Sequence, residues 1–360
     1  VQIGWIQLAG FRNYCTLSYT PSARLNLLTG GNAQGKTNLL EAIAFLLTGR
    51  SFRTSRPGEM TSWSESSASV AGELRRAEGS RTVRRTIRRL EDDNWHVAGD
   101  GCPWARAIVF GWQDLAVLNG MPSARRNFID GVAGRLYPAH LPALVRYRQL
   151  VTRRNAVLRT RPVPPDLATR LAPWDEQVAA AGAELIARRR RAVAMLQTEL
   201  ARVYPALSGR GAALSGERHK VEIRYRTELG EATEAPALLA ALTRLRAIEV
   251  RRGVTLAGPH RDDLTIELDG IDARRYGSRG QQRLLALALR LAEVLPVTEA
   301  AGTAPVLLLD DALSELDPHV RDNVLRELGS AEQVFLTTPE TMTVSGAACW
   351  TVRNGEVAAA

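Results

Sequence analysis

The chain has 360 residues, 45% hydrophobic and 24% charged, the balance of a globular protein with room for two or three domains. Its 47 Lys and Arg against 38 Asp and Glu give a net charge of +9, which points to a polyanionic partner. No apolar run approaches the roughly 18 residues of a membrane span, and no amphipathic anchor is evident, so nucleic acid is favoured over a membrane. The N-terminal Val1-Gln2-Ile3-Gly4-Trp5 lacks the shape of a signal peptide, and a cytoplasmic location is expected. Cys15, Cys102 and Cys349 have neither metal nor redox spacing and read as free thiols in a reducing compartment. The five histidines are scattered, which argues against zinc.

Taken in chain order, residues 3–8, 16–19 and 25–29 read as short strands. The last leads into Gly30-Gly31-Asn32-Ala33-Gln34-Gly35-Lys36-Thr37, which fits the phosphate-loop pattern G-x-x-x-x-G-K-[ST] at every fixed position. Glycines let the backbone curl so that N–H groups point inward at a phosphate. Lys36 would reach the outer phosphates, and Thr37 would offer a hydroxyl to Mg²⁺. Only Lys36 and Lys220 are lysines among the 47 basic residues, and one of them stands where phosphate chemistry calls for an ammonium. Asn38 to Leu47 reads as the helix leaving the loop, its N-terminus aimed at the bound anion.

Residues 68–76, 81–89 and 94–98 read as an antiparallel set, and 106–110 as a further strand. From 123 to 204 the pattern is helical, broken by Arg161-Pro162-Val163-Pro164-Pro165. This predicts a short helix at 123–134 and two long antiparallel helices of 25–30 residues, each about 40 Å. Arg188 to Arg191 cover every face of one turn and are expected to be mostly solvated. A strand at 221–226, a helix at 236–251 and a strand at 264–268 follow. A helix over 280–295 ended by Pro296, a buried strand at 306–309, a helix at 318–328 and a strand at 334–337 complete the reading.

The apolar run Val306-Leu307-Leu308-Leu309 ends in Asp310-Asp311. A continuous apolar run reads as a buried parallel strand, and ligands bind at the carboxyl ends of such strands. Asp310 is placed to hold Mg²⁺ through water, and Asp311 to orient or deprotonate an attacking water. Upstream, Gly277-Ser278-Arg279-Gly280-Gln281-Gln282 opens a helix. Ser278 could simply cap it. The surrounding glycines and glutamines exceed what a cap requires, and a serine hydroxyl with free N–H groups makes a second phosphate-binding device. Two such devices about 240 residues apart suggest a site shared between two subunits.

This arrangement resembles the ABC-type ATPases without membrane domains, the SMC and RecF group. Within it the chain is similar to the RecF family along nearly its whole length. The resemblance rests on Phe11-Arg12-Asn13-Tyr14, the phosphate loop, Gly49 to Thr54, Gln113-Asp114-Leu115 through Ser123 to Asp130, and Gly258-Pro259-His260-Arg261-Asp262-Asp263. It rests also on Ser278 to Gln282 and on Leu309 through Asp317. The short insert favours this member over those with long coiled coils.

The resemblance implies an α/β fold: a split ABC-type head at 1–118 and 252–360, with mixed sheet and antiparallel β subdomain, and a mainly helical inserted lobe at 119–251. It implies ATP and Mg²⁺ as cofactors, with Arg12, Asn13, the loop Gly30 to Thr37, Asn38 and Gln113 on the nucleotide. Ser278, Gly280 and Gln281 form the signature, and Thr37, Asp310 and Gln113 the metal site. Lys36 and Asp311 are the catalytic candidates. It further implies an ATP-dependent homodimer on duplex DNA at single-strand junctions, a weak, DNA-stimulated ATPase, and work with RecO and RecR in loading recombinase. The chain departs from many ABC ATPases in having Asp311 for Glu and Thr337-Thr338 for a switch histidine, which suggests slow turnover. The alternatives are an ABC subunit of a transporter, against which the insert and the charge argue, and a structural DNA clamp that scarcely hydrolyses ATP.

Overall fold

The structure is a computed structural model and describes residues 1–63, 65–92, 94–209, 220–329, 331–340 and 342–360. Strands β1 (Gln2–Phe11), β2 (Tyr14–Tyr19) and β3 (Leu25–Thr29) precede helix α1 (Lys36–Thr48). Then come β4 (Ser67–Arg76), β5 (Gly79–Arg89), β6 (Trp95–Gly99) and β7 (Ala107–Phe110). Helices α2 (Ala116–Asn119), α3 (Pro122–Leu136), α4 (His140–Leu158) and α5 (Leu167–Ser208) follow. After them lie β8 (Val221–Arg226), α6 (Ala235–Arg252), β9 (Asp263–Leu268), β10 (Ile271–Asp272) and α7 (Ala273–Tyr276). The chain closes with α8 (Arg279–Leu291), α9 (Val294–Ala301), β11 (Val306–Leu309), α10 (Pro318–Leu328), β12 (Val334–Thr338), β13 (Ala348–Arg353) and β14 (Glu356–Ala359).

Two units emerge. The first comprises Val1–Leu115, Val203–Glu217 and Arg279–Ala360, and the second Ala116–Arg202 and Arg218–Ser278. The return to the first unit falls at 278/279 and not at 252, because β9 pairs with β8 in the second unit's sheet, order β10-β9-β8.

In the first unit, β3, β11 and β12 are buried at every residue, as strands covered on both faces must be. They form the centre of a six-stranded sheet ordered β14-β13-β3-β12-β11-β7, parallel except for β14. A second sheet, β2-β1-β4-β5-β6, is antiparallel throughout. Helix α1 packs into one core with residues of both sheets, such as Ile6, Val70, Leu308 and Phe335. That explains why Leu39 to Leu47 are buried all round and not along one stripe. Gly49 (φ 73°) ends the helix, its N–H donating to Phe45 O, the left-handed cap that glycine adopts without a Cβ penalty.

The 280–295 helix of the sequence reading is two helices. It breaks after Leu291, and Pro296 lies in the first turn of α9, where its missing N–H would have no intrahelical partner. The hairpin β13–β14 was not foreseen.

The second unit packs α4, α5 and α6 around Leu144, Tyr147, Val178, Leu185, Leu238 and Leu242. The two long helices differ in length: α4 has 19 residues and α5 has 42, about 63 Å at 1.5 Å per residue. Arg154 is fully buried and bridges Asp175 (2.6 Å), Glu249 (2.7 Å) and Thr255 Oγ1 (2.9 Å), tying the three helices by charge. The run Arg188 to Arg191 is not a solvated face. Arg189 is buried and grips Asp130 with two 2.8 Å hydrogen bonds, and only Arg191 is exposed. A helix packed on several sides turns one residue of any four inward, whatever its charge.

Candidate functional site

The carboxyl ends of four neighbouring parallel strands supply the site in the first unit. β3 delivers the phosphate loop, β12 ends in Thr337 and Thr338, β11 ends at Asp310 and Asp311, and β7 leads to Gly111 and the 3-10 turn Trp112–Leu115. This is where open parallel sheets bind ligands. A cavity of about 510 Å³ opens there.

The loop itself is shaped by Gly30 (φ 145°), Ala33 (φ 62°) and Gly35 (φ 117°). A Cβ at Gly35 would come 2.6 Å from Asn13 Nδ2, so only glycine fits. Gly35 starts α1, and no side chain caps that helix, which leaves its first N–H groups directed at the cavity for an anion. Lys36 Nζ donates to Gly30 O (2.6 Å) and Gly31 O (2.7 Å), spanning the loop. Burial lowers the Lys36 pKa, and the charges of Asp310 and Asp311 oppose that shift.

Thr37 Oγ1 donates to Asp310 Oδ1 (2.9 Å) and Oδ2 (2.8 Å). This hydroxyl and carboxylate are the hard oxygen donors that suit a Mg²⁺ ion. Thr337 Oγ1 donates to Asp310 (2.8 Å) and accepts from the Asp311 N–H (2.9 Å). Thr337 therefore fixes both acids. Asp311 sits in the left-handed region (φ 51°), its carbonyl accepts from Arg283, and its Oδ1 is buried without a hydrogen-bond partner. Burial raises its pKa, Arg283 opposes this, and Asp310 adds to it. An orphaned carboxylate oxygen in a polar cavity is the arrangement a water-orienting base needs.

Asn32, Ala33, Gly35, Lys36, Thr37, Asn38, Asp310 and Asp311 all line the cavity. Asn13 stands behind the loop, donating to Gln34 O (3.1 Å) and accepting from Asn38 (2.7 Å). Gln34 closes the loop from the other side through the Asn354 and Gly355 N–H groups. Gln113 is not on the lining, but its Oε1 and Asp310 Cβ both lie about 4 Å from where a Gly111 Cβ would be. Gly280 and Gln281, exposed on the first turn of α8, do not line the cavity, and Ser278 is exposed.

Several residues escaped the sequence reading. Arg53, Trp112 and Arg283 line the cavity. Glu41, fully buried on α1, accepts from Arg12 (2.8 and 2.9 Å), Arg53 (3.1 Å) and Ser51 (2.6 Å). A lone carboxylate in an apolar helix was the signal for it. Asp114 accepts from the Gly111 N–H (2.8 Å) and from Arg290 (2.5 and 3.0 Å), joining the turn after β7 to α8.

Phosphate loop, paired acids on β11 and a helical insert between the segments of the first unit define the fold of an ABC-type ATPase head. A family profile described as an AAA domain matches residues 6–121. The DNA replication and repair protein RecF of Heliobacterium modesticaldum is 37% identical over 351 residues, 94% of this chain and 92% of that one. Its counterpart in Symbiobacterium thermophilum is 38% identical over 348 residues, 92% of this chain and 90% of that one. A solved structure of the recombination mediator protein RecF with ATP matches with a TM-score of 0.86 at 28% identity, over 100% of this chain and 97% of that one. An Smc head bound to the C-winged helix domain of ScpA shares the fold alone, with a TM-score of 0.54 at 17% identity. The chain belongs to the RecF family of DNA replication and repair proteins.

Proposed function

We propose that the chain is an ATP-dependent DNA-binding protein of recombinational repair, in which ATP drives head-to-head dimerisation on duplex DNA near single-strand gaps and slow hydrolysis resets it. The observation that carries this reading is the split between two phosphate-binding devices. Asn32, Ala33, Gly35, Lys36 and Thr37 of the loop line the cavity, while Gly280 and Gln281 are exposed and do not line it. A second copy would bring its signature, Ser278 to Gln281, to the open face of the loop.

In that reading the N–H groups of the loop and of the first turn of α1 bind the phosphates, and Lys36 exchanges its carbonyl partners for the outer phosphate oxygens. Thr37 and Asp310 would hold Mg²⁺, which would supply positive charge to the phosphates there. Asp311 holds the attacking water through its unpaired Oδ1 and takes its proton, and its raised pKa suits that exchange. Thr337, anchoring Asp310 and Asp311, has no ring nitrogen to stabilise a departing phosphate, which favours slow turnover. No helix among the described residues is long and apolar enough to cross a membrane, and the net charge suits DNA. RecO and RecR, in the pathway named for the solved RecF structures, are the protein partners of this reading. The test is duplex binding with ATP, without ATP, and with ATP after Lys36→Ala. Tight binding only in the first condition supports the reading, and ATP-independent binding contradicts it.

A further inference from the structure

The positive charge of the chain is carried by one of its units. The second unit has 26 Lys and Arg against 16 Asp and Glu, a net of +10, whereas the first has 21 against 22. Two sequence motifs that the nucleotide cavity does not use, Ser123 to Asp130 and Gly258 to Asp263, lie in that basic unit and meet there. Arg125 forms a fork with Asp263 (2.6 and 2.9 Å), and Arg126 donates to Asp262 O (3.0 Å). Arg189 donates to Pro259 O (2.6 Å), and Tyr147 Oη pairs with His260 Nδ1 (2.7 Å).

These contacts wall a cavity of about 220 Å³ between α3, α4, α5 and the 258–263 loop. Its floor is electrically closed. Asp130 and Arg189 neutralise each other, and burial holds the pKa of His260 down to about 4, so its ring is neutral. Burial works against the charge on Asp130, but hydrogen bonds from His140 and Arg189 outweigh it and keep the carboxylate ionised. The rim is different. Arg126, half-buried, and Arg148, exposed, both line the cavity, and neither pairs with a carboxylate among the described residues. Ser123 and Asn127, one helical turn apart on α3, add a hydroxyl and an amide beside them. Asp262 and Asp263 act on Arg126 only at longer range, and two guanidinium groups without a carboxylate in ion-pair contact, with neutral donors around a small recess, suit one tetrahedral anion.

We infer that this recess on the second unit seats a backbone phosphate of duplex DNA. A nucleic acid is favoured over an acidic protein segment because the whole excess charge resides in this unit and the rim is polar, with Leu144 the one aliphatic lining residue. Phosphate contacts of this kind fix register without reading sequence. The inference rests on the DNA-binding reading above and adds the site.

The test measures duplex affinity with saturating ATP at salt from 50 to 200 mM for four proteins: wild type, the double variant Arg126→Gln/Arg148→Gln, Ser123→Glu and Ser123→Gln. Ser123→Glu is the safeguard against misfolding, since Ser123 is exposed and an acid in the first turn of α3 favours that helix. Loss of one phosphate contact should weaken binding about tenfold and make the log–log salt slope shallower by about 0.9. The double variant and Ser123→Glu should both show this, Ser123→Gln should match wild type, and ATP affinity should be unchanged in all four. Wild-type duplex affinity and slope in the double variant and in Ser123→Glu would overturn the phosphate seat while leaving DNA binding intact. Full duplex affinity with lost retention on polyglutamate would overturn it in favour of an acidic protein segment. A wild-type protein that binds no duplex at all would overturn the functional reading itself.

Discussion

Glu41→Gln removes the one charge that holds Arg12 and Arg53 beside the cavity. The carboxylate is fully buried and takes four donors, from Arg12 twice, Arg53 and Ser51. A glutamine keeps one oxygen and turns an NH₂ toward groups that are themselves donors. Removing one partner of a buried ion pair costs about 3–5 kcal/mol. Arg12 and Arg53 retain 20% and 34% side-chain exposure, so water recovers part of that, and about 2 kcal/mol of destabilisation remains. Arg53 lines the cavity, and without its anchor ATP affinity should fall about tenfold, or about 1.4 kcal/mol. Urea unfolding without nucleotide reads the first figure, and titration with a fluorescent ATP analogue reads the second. A variant with wild-type stability and ATP affinity within twofold of wild type would refute the claim that Glu41 positions the pair.

Four further outcomes follow from the structure. Lys36→Ala should lose ATP binding by a hundredfold or more, about 2.7 kcal/mol, because no other ammonium is near the loop; unchanged binding in an equilibrium titration counts against the loop assignment. Ser278→Arg should leave ATP affinity intact but abolish both ATP-driven dimerisation and hydrolysis, and a variant that still dimerises makes the signature a helix cap alone. Arg154→Met should destabilise the second unit by about 3–5 kcal/mol in denaturant unfolding, since Glu249 is left buried without its cation and Asp175 keeps only Arg246. His260 is neutral in the folded protein with its pKa held near 4, so it stabilises fully above its usual 6.5 and loses that contribution as pH falls from 6.5 toward 4. The loss reaches about 3 kcal/mol and should vanish in His260→Gln, and parallel pH–stability curves for the two proteins would contradict it.

Local grammar made the candidate site legible. The phosphate loop is contiguous, β11 is an unbroken apolar run with its acids at the end, and both signals survive without knowledge of the fold. The hairpin β13–β14 was missed although Asn354-Gly355, with φ of 50° and 81°, is the favoured pair for a tight hairpin turn. The break between α8 and α9 was masked because apolar residues continue across it, and a proline in a first turn looks in sequence like a stop. What stayed out of reach is tertiary. Arg189 meets Asp130 across 59 residues and Arg154 meets Glu249 across 95, so neither pair has a spacing to read. Burial of one arginine within a run of four depends on which face its neighbours cover. The placement of Arg53 at the cavity likewise depends on Glu41, whose charge has meaning only once α1 is seen enclosed between two sheets.

The central claim is that ATP gates pairing of two heads, and sedimentation equilibrium tests it most directly. With Mg²⁺ but no nucleotide the protein should sediment at 39.3 kDa. With saturating ATP and a short duplex it should sediment as two chains with the DNA, and Ser278→Arg should bind the same ATP yet remain a single chain. A wild-type protein that stays a single chain at saturating ATP and duplex would contradict the account.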